Sequence, residues 1–345
     1  MEEEKRTKEK ERVTIKDVAR VAKVSLSTAS LALNGKPGVT QKTKEHIIAV
    51  AKELNYKPNS SARSLRASKT KMIGLILPDI VNDFYSVIVE YIRKEVESYG
   101  YFLLLGITGS NSANEEKYIN EFITRGVDGV IYIPQLKYSD IRYVEQFGEY
   151  KIPYLFLTAR YEELDVPYVL CDLKKGFYEM TKHLLEQGLT EIYVMVRDKK
   201  VDQPYMSGFY AACKEFGLYP DETVIVESSF EFEAIQKIAD EIFFKRPQAI
   251  MTISDMMACG VMQQARKRGI RIPEELSVTG YDDVIYSIIN HIPISTVMQP
   301  IKEMCITAVN NLMNIVKYGI APPSVILEPK LVLRETTREQ INKDV

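Results

Sequence analysis

From Met72 onward, short apolar runs alternate with amphipathic stretches, and this alternation limits the possible folds more than any other feature. The runs Met72–Leu77, Tyr101–Ile107, Val127–Ile133, Tyr154–Leu157, Ile192–Val196, Ala249–Ile253 and Leu276–Tyr281 read as strands. Stretches such as Phe84–Tyr99 and Met257–Arg268 lie between them with helical spacing. Strict alternation implies parallel strands, because a parallel neighbour needs a crossover long enough for a helix. About 265 residues are too many for one compact sheet, so two doubly wound parallel-sheet subdomains are expected. The crevice between them is the natural place for a ligand.

Residues before Thr70 follow another pattern. Ile15, Val18, Ala19 and Ala22 recur at one helical face. A break at Val24-Ser25 is followed by a second helical stretch, Ser27–Asn34, stopped by Asn34-Gly35-Lys36-Pro37-Gly38. A third stretch runs from Gln41 to Leu54, with Thr40 placed to cap it. These are helix-turn-helix proportions, in which the second helix enters the DNA major groove. From spacing alone, any three-helix bundle fits equally well. Charge tips the balance. Val13–Thr70 holds eleven Lys/Arg against three Asp/Glu, a surplus of +8, and residues 1–12 carry five of each. The whole chain is −2, so the remainder carries −10. A basic head on an acidic body suggests a polyanion partner for the head alone.

Other classes fall away. No apolar run approaches a membrane span, and Met1-Glu-Glu-Glu-Lys-Arg has no apolar stretch behind it, so a cytoplasmic protein is expected. Cys171, Cys213, Cys259 and Cys305 lie far apart and read as buried reduced thiols. His46, His183 and His291 lack metal-ligand spacing, and no metal or cofactor is expected. No GxSxG, P-loop or GxGxxG follows a strand, and Asp282-Asp283 are adjacent rather than convergent. An enzyme is therefore not expected. A periplasmic transport receptor would have no use for the basic head.

The segment Val13-Thr14-Ile15-Lys16-Asp17-Val18-Ala19, with Val24-Ser25, Ser30, Leu33-Asn34-Gly35 and Leu54-Asn55-Tyr56-Lys57-Pro58-Asn59, closely resembles the LacI/GalR family of bacterial transcription regulators. The likeness continues through Ala62-Arg63-Ser64-Leu65, Ile73-Gly74, Pro78-Asp79, Val127-Asp128-Gly129, Ser254-Asp255, Gly280-Tyr281-Asp282-Asp283 and Arg334-Glu335-Thr336-Thr337. It implies five segments. These are a charged extension (1–12), a small all-α helix-turn-helix head (13–58), a hinge helix (59–70), an α/β body of periplasmic-binding-protein type (71–338) and a tail (339–345). Within the body it implies subdomain one over about 71–169 and 297–322, and subdomain two over about 170–296 and 323–338.

The resemblance places Leu26, Ser27 and Leu31 at base-reading positions, with Thr14, Ser25, Thr28, Ser30 and Asn34 around them on double-stranded operator DNA. Leu31 departs from a common pattern in which Arg follows Ser here; as a side chain it also suits the core. Arg63 and Arg66 are expected near phosphates, and Leu65 is expected to wedge into the minor groove when two chains meet on DNA. A homodimer on a palindrome is therefore implied.

For a small-molecule effector, a sugar or related metabolite, the resemblance points to Phe84, Tyr85, Thr158, Arg160, Tyr205, Phe230, Ser254, Asp255, Asp282 and Gln299. Each singly also suits packing or capping. Two positions depart from the family pattern: Tyr205 stands where Arg is usual, and Thr158 where Asp is common. These imply a ligand less dependent on charge-assisted contacts, and not a simple monosaccharide. Control by a phosphocarrier protein docked on the first subdomain stays open as an alternative.

Overall fold

The computed structural model describes residues 13–56, 69–109, 111–134 and 140–338. The expected extension (1–12), the tail (339–345) and hinge residues Arg63, Leu65 and Arg66 lie outside the described residues. The chain divides into two compact units between Thr70 and Lys71, where the charge balance along the sequence also changes sign.

In the head, α1 spans Ile15–Val21, α2 Leu26–Leu33 and α3 Gln41–Glu53. Side chains that accept backbone N–H groups set the starts of the last two. Ser25 Oγ takes Thr28 N at 3.1 Å, and Thr40 Oγ1 takes Thr43 N at 3.3 Å. The helices share one small core of Val18, Ala19, Ala22, Ala29, Ala32, Ile47, Val50 and Ala51. Five of its eight members are alanines, so the helices pack closely but gain little burial energy.

In the body, the first elements in chain order are β1 (Met72–Leu77), α4 (Asp83–Ser98), β2 (Phe102–Ile107), α5 (Ser112–Arg125) and β3 (Gly129–Tyr132). Next come α6 (Ile141–Glu149), β4 (Tyr154–Leu157), β5 (Tyr168–Cys171), α7 (Leu173–Glu186), β6 (Ile192–Val196) and α8 (Gln203–Glu215). A single 3₁₀ turn then leads to β7 (Ile225–Glu227), α9 (Phe232–Phe243), β8 (Ala249–Thr252), α10 (Asp255–Arg268) and β9 (Ser277–Thr279). The last elements are α11 (Tyr286–Ile289), β10 (Thr296–Met298), α12 (Ile301–Tyr318), β11 (Val325–Leu327) and β12 (Lys330–Val332).

One sheet has the order β11-β5-β4-β3-β1-β2 and the other β7-β6-β8-β9, with every pairing parallel. Both faces of the first sheet are covered, as parallel sheets require. Ile73, Leu75 and Leu77 meet Ile88 and Ile92 of α4 and Ala308 and Leu312 of α12. On the other face, Ile76 and Val130 meet Phe122 of α5 and Phe147 of α6. Helices α7 to α10 wrap the second sheet in one continuous core. There α7 and α8 pack backbone to backbone at Gly208, where any side chain would collide with the Lys174 carbonyl.

The chain passes between the sheets after β5, before α12 and after β11. The last crossing corrects an expectation. Residues 323–338 read as subdomain two, yet β11 pairs with β5 in the first sheet, Val325 opposite Val169. Only β12 returns, pairing antiparallel with β10. Three-residue strands are too short to show periodicity, so β7, β10, β11 and β12 leave no apolar run to read.

Candidate functional site

On α2, Ala29 and Ala32 are buried and Leu33 packs against the same core. Leu31 is half-buried and stands outside that core, so packing does not account for it. Leu26 is 43% exposed, and Ser25 and Ser27 are exposed beside it. This turn of helix therefore offers two leucines and several hydroxyls to a partner. The hydroxyls are ordered: Ser25 Oγ lies 2.7 Å from both Ser27 Oγ and Thr28 Oγ1. Thr14 and Asn34 have local work. Thr14 donates its N–H (3.0 Å) and hydroxyl (2.7 Å) to Asp17, and Asn34 Nδ2 donates to the Ser30 carbonyl at 2.7 Å. Thr14 thus serves as the N-cap of α1 and Asn34 as the C-cap of α2.

A cavity of about 580 Å³ lies between the two sheets of the body. Residues at or just beyond the carboxyl ends of parallel strands line it: Pro134 after β3, Thr158 after β4, Asp172 after β5, Arg197 after β6, Ser254 after β8 and Asp282 after β9. Side chains there point past the sheet edge, free of the core, which is why such ends carry ligand sites. Asn82 caps α4 by accepting Phe84 N at 3.1 Å, and this sets Phe84 and Tyr85 in the wall. Phe230 and Gln299 complete the polar and aromatic lining. The structure thus brings together nine expected residues: Phe84, Tyr85, Thr158, Arg160, Tyr205, Phe230, Ser254, Asp282 and Gln299.

Asp255 does not line the cavity and is a correction. It is fully buried, where its carboxylate accepts Thr296 Oγ1 at 2.6 Å and Val284 N at 2.8 Å. Burial pushes its carboxyl well up, with the neighbouring Asp282 adding to the effect. It ties the start of α10 to the loop carrying Asp282. Asp283 is structural as well. Arg334 Nη2 donates to it at 2.7 Å and Arg334 Nη1 to the Ile294 carbonyl at 3.0 Å, and Thr336 Oγ1 accepts Ser295 N at 2.8 Å. The Arg334-Glu335-Thr336-Thr337 motif is thus the clasp that holds this loop.

Strain and charge concentrate in the cavity wall. Thr158 (φ 67°), Asp282 (φ 98°) and Asp283 (φ 57°) all have positive φ. For a β-branched residue such as Thr158 this costs about 1–3 kcal/mol, supplied by the surrounding sheet. Burial pushes the Asp282 carboxyl up to about 7, against the opposing effect of Gln299 Nε2, which donates to it at 2.7 Å. Tyr85 is pushed up to about 12 by burial; Arg197 acts against this, and Asp79, Asp282 and Asp202 add to it. Tyr205 packs edge-on against Phe177 (5.2 Å between ring centroids) and Tyr281 (5.1 Å), forming an aromatic floor.

The sequence reading missed Arg197 and Asp202. Asp202 is buried; its Oδ2 accepts the backbone N–H groups of Arg197 and Asp198, each at 2.9 Å. Arg197 sits 5.9 Å over the Phe230 ring. A guanidinium therefore does line the cleft, eight residues before Tyr205, and the expected loss of charge-assisted contacts does not follow. Asking what lies at the carboxyl end of every expected strand would have found it after Ile192–Val196.

Residues 14–59 match the model for bacterial regulatory proteins of the lacI family, and residues 181–337 match that for a periplasmic binding protein-like domain. The chain is 32% identical over 334 residues to the HTH-type transcriptional regulator DegA of Bacillus subtilis (strain 168), covering 94% of this chain and 98% of that one. It is 33% identical to the ribose operon repressor of Halalkalibacterium halodurans, covering 96% and 99%. Its fold matches a crystal structure of the lac repressor dimer bound to operator and the anti-inducer ONPF, with a TM-score of 0.84 at 23% identity, covering 94% and 99%.

Proposed function

Because the chain belongs to the lacI family of bacterial regulatory proteins, we propose that it is a sequence-specific repressor working in the cytoplasm, binding a palindromic operator as a homodimer under the control of a small effector, a sugar or related metabolite, in the cleft of the body. The observation that carries the DNA-reading part is the uncovered face of α2, where Leu26, Ser27 and Leu31 stand clear of a core already filled by Ala29, Ala32 and Leu33. The surplus of +8 confined to residues 13–70 supplies phosphate affinity, and the acidic remainder keeps the body off the duplex. One head alone makes too small an interface for specific binding, which supports the dimer. Exposed apolar side chains on the body also support it: Val81 and Phe102 on the first subdomain, and Ile288 and Ile289 on the second.

The effector part rests on the cleft, whose volume suits a mono- or disaccharide-sized molecule. It mixes aromatic faces, hydroxyls and ionisable groups, as a polar metabolite requires. Control mainly by a phosphocarrier protein is the competing reading, and this built cleft favours the small molecule. Ligand binding would change how the subdomains sit, and so whether paired hinge segments fold on DNA. Selection from random double-stranded DNA with the full-length chain tests the DNA part. A two-fold symmetric site is expected, with affinity falling steeply as salt rises. Enrichment of no sequence, or of a single unrepeated half-site, would contradict it.

A further inference from the structure

We propose that the effector carries an anionic group, a carboxylate or a phosphate, and that Arg197 is the residue that grips it. This rests on the reading of the cleft as the effector site. The argument comes from counting open donors and acceptors. The acids in the lining are already engaged or face water. Asp202 accepts two backbone N–H groups and a long 3.3 Å bond from Arg197 Nη2. Asp172 caps α7 by accepting Lys175 N at 2.9 Å, Asp282 accepts Gln299 Nε2 at 2.7 Å through one of its two oxygens, and Glu162 is mostly in solvent.

The cations in the lining are not engaged in this way. Among the described residues, the 3.3 Å contact is the only hydrogen bond made by the Arg197 guanidinium, leaving its Nε and Nη1 donors open. Arg160 lies 3.7 Å from Glu162, beyond hydrogen-bonding distance, and stacks 4.6 Å over Tyr168. Lys174 lines the same cavity. A neutral polyol needs donors and acceptors in similar number. A wall whose acids each already hold a donor or face water, while guanidinium N–H donors stand open, instead suits a ligand that accepts with charge at that point. The Arg197 guanidinium also lies within cation–π distance of the Phe230 ring, 5.9 Å from its centroid.

The test is a thermal-shift panel on the full-length chain, with hits followed by titration calorimetry. The panel pairs neutral and anionic forms: ribose with ribose 5-phosphate, glucose with gluconate, glucuronate and glucose 6-phosphate, and galactose with galacturonate. Adenosine and guanine stand as neutral ring controls. Hits are expected only among the anions, and Arg197→Gln should weaken them by roughly 10- to 100-fold, the range for a charge-assisted hydrogen bond. Arg197→Lys separates the two anions. A phosphate accepts a point charge and should be largely retained, whereas a planar carboxylate needs the fork and should be lost. A neutral member that binds and is unaffected by Arg197→Gln would overturn this inference and leave the effector cleft standing. Stabilisation by no member at all would count against the cleft reading itself, and this inference with it.

Discussion

Asp282→Asn should raise the melting temperature of the body at pH 8 while removing its response to effector. The carboxyl of Asp282 is pushed from 3.8 to about 7 by burial. A carboxyl raised on folding favours the folded state only while it stays protonated. Stability is therefore lost as pH climbs from about 4 to about 7, and stays lost above that. Three pKa units correspond to about 4 kcal/mol, an upper bound for what the charged form costs at pH 8. Asparagine cannot ionise, can still accept the Gln299 amide, and tolerates positive φ at least as well as aspartate. It also removes a charge that raises Asp255. The gain should shrink steadily as pH falls and vanish near pH 4. A variant that melts below the parent at pH 8 would refute this account of the site. With the expected gain, the parent carboxylate is retained for binding at a cost to stability, a common exchange at functional sites.

Leu31→Arg should rewrite the operator at one symmetric step. Leucine at this place offers only apolar contact, best with a thymine methyl, so the parent half-site should lack a guanine there. An arginine can hold guanine O6 and N7 together, worth about 1–3 kcal/mol, or roughly 5- to 150-fold in preference. Because Leu31 stands outside the head core, the exchange should leave folding almost unchanged. Selections from random DNA with the two proteins give the readout. A dominant guanine already facing Leu31 in the parent would contradict the assignment, as would identical sites for both.

Much of this was legible in the sequence, for identifiable reasons. The long strands β1 and β6 are buried on both faces, so they read as unbroken apolar runs, and β2 keeps such a run although it lies at the sheet edge with Phe102 exposed. The turn at Val24-Ser25 was legible because a helix start needs a side-chain acceptor, and Ser25 supplies one. β11 was not, because three half-exposed residues carry no period, and so the last crossing was placed too early. Asp255 was misread because an acid after a strand looks the same whether it faces a cleft or the protein interior. Only the fold shows that Thr296 and Val284 occupy it. Arg197 was hidden for the opposite reason. The resemblance puts the usual arginine at position 205, whereas this chain carries a guanidinium at the tip of β6.

The central claim is that filling the cleft changes the grip on DNA. The most direct measurement is the affinity of the full-length chain for its selected operator, with and without a saturating cleft ligand, for the parent and Asp282→Asn. The account predicts a change of about 5- to 150-fold for the parent, the usual range of coupling between two sites, and none for the variant. An operator affinity that stays constant while the parent demonstrably binds the ligand would contradict it.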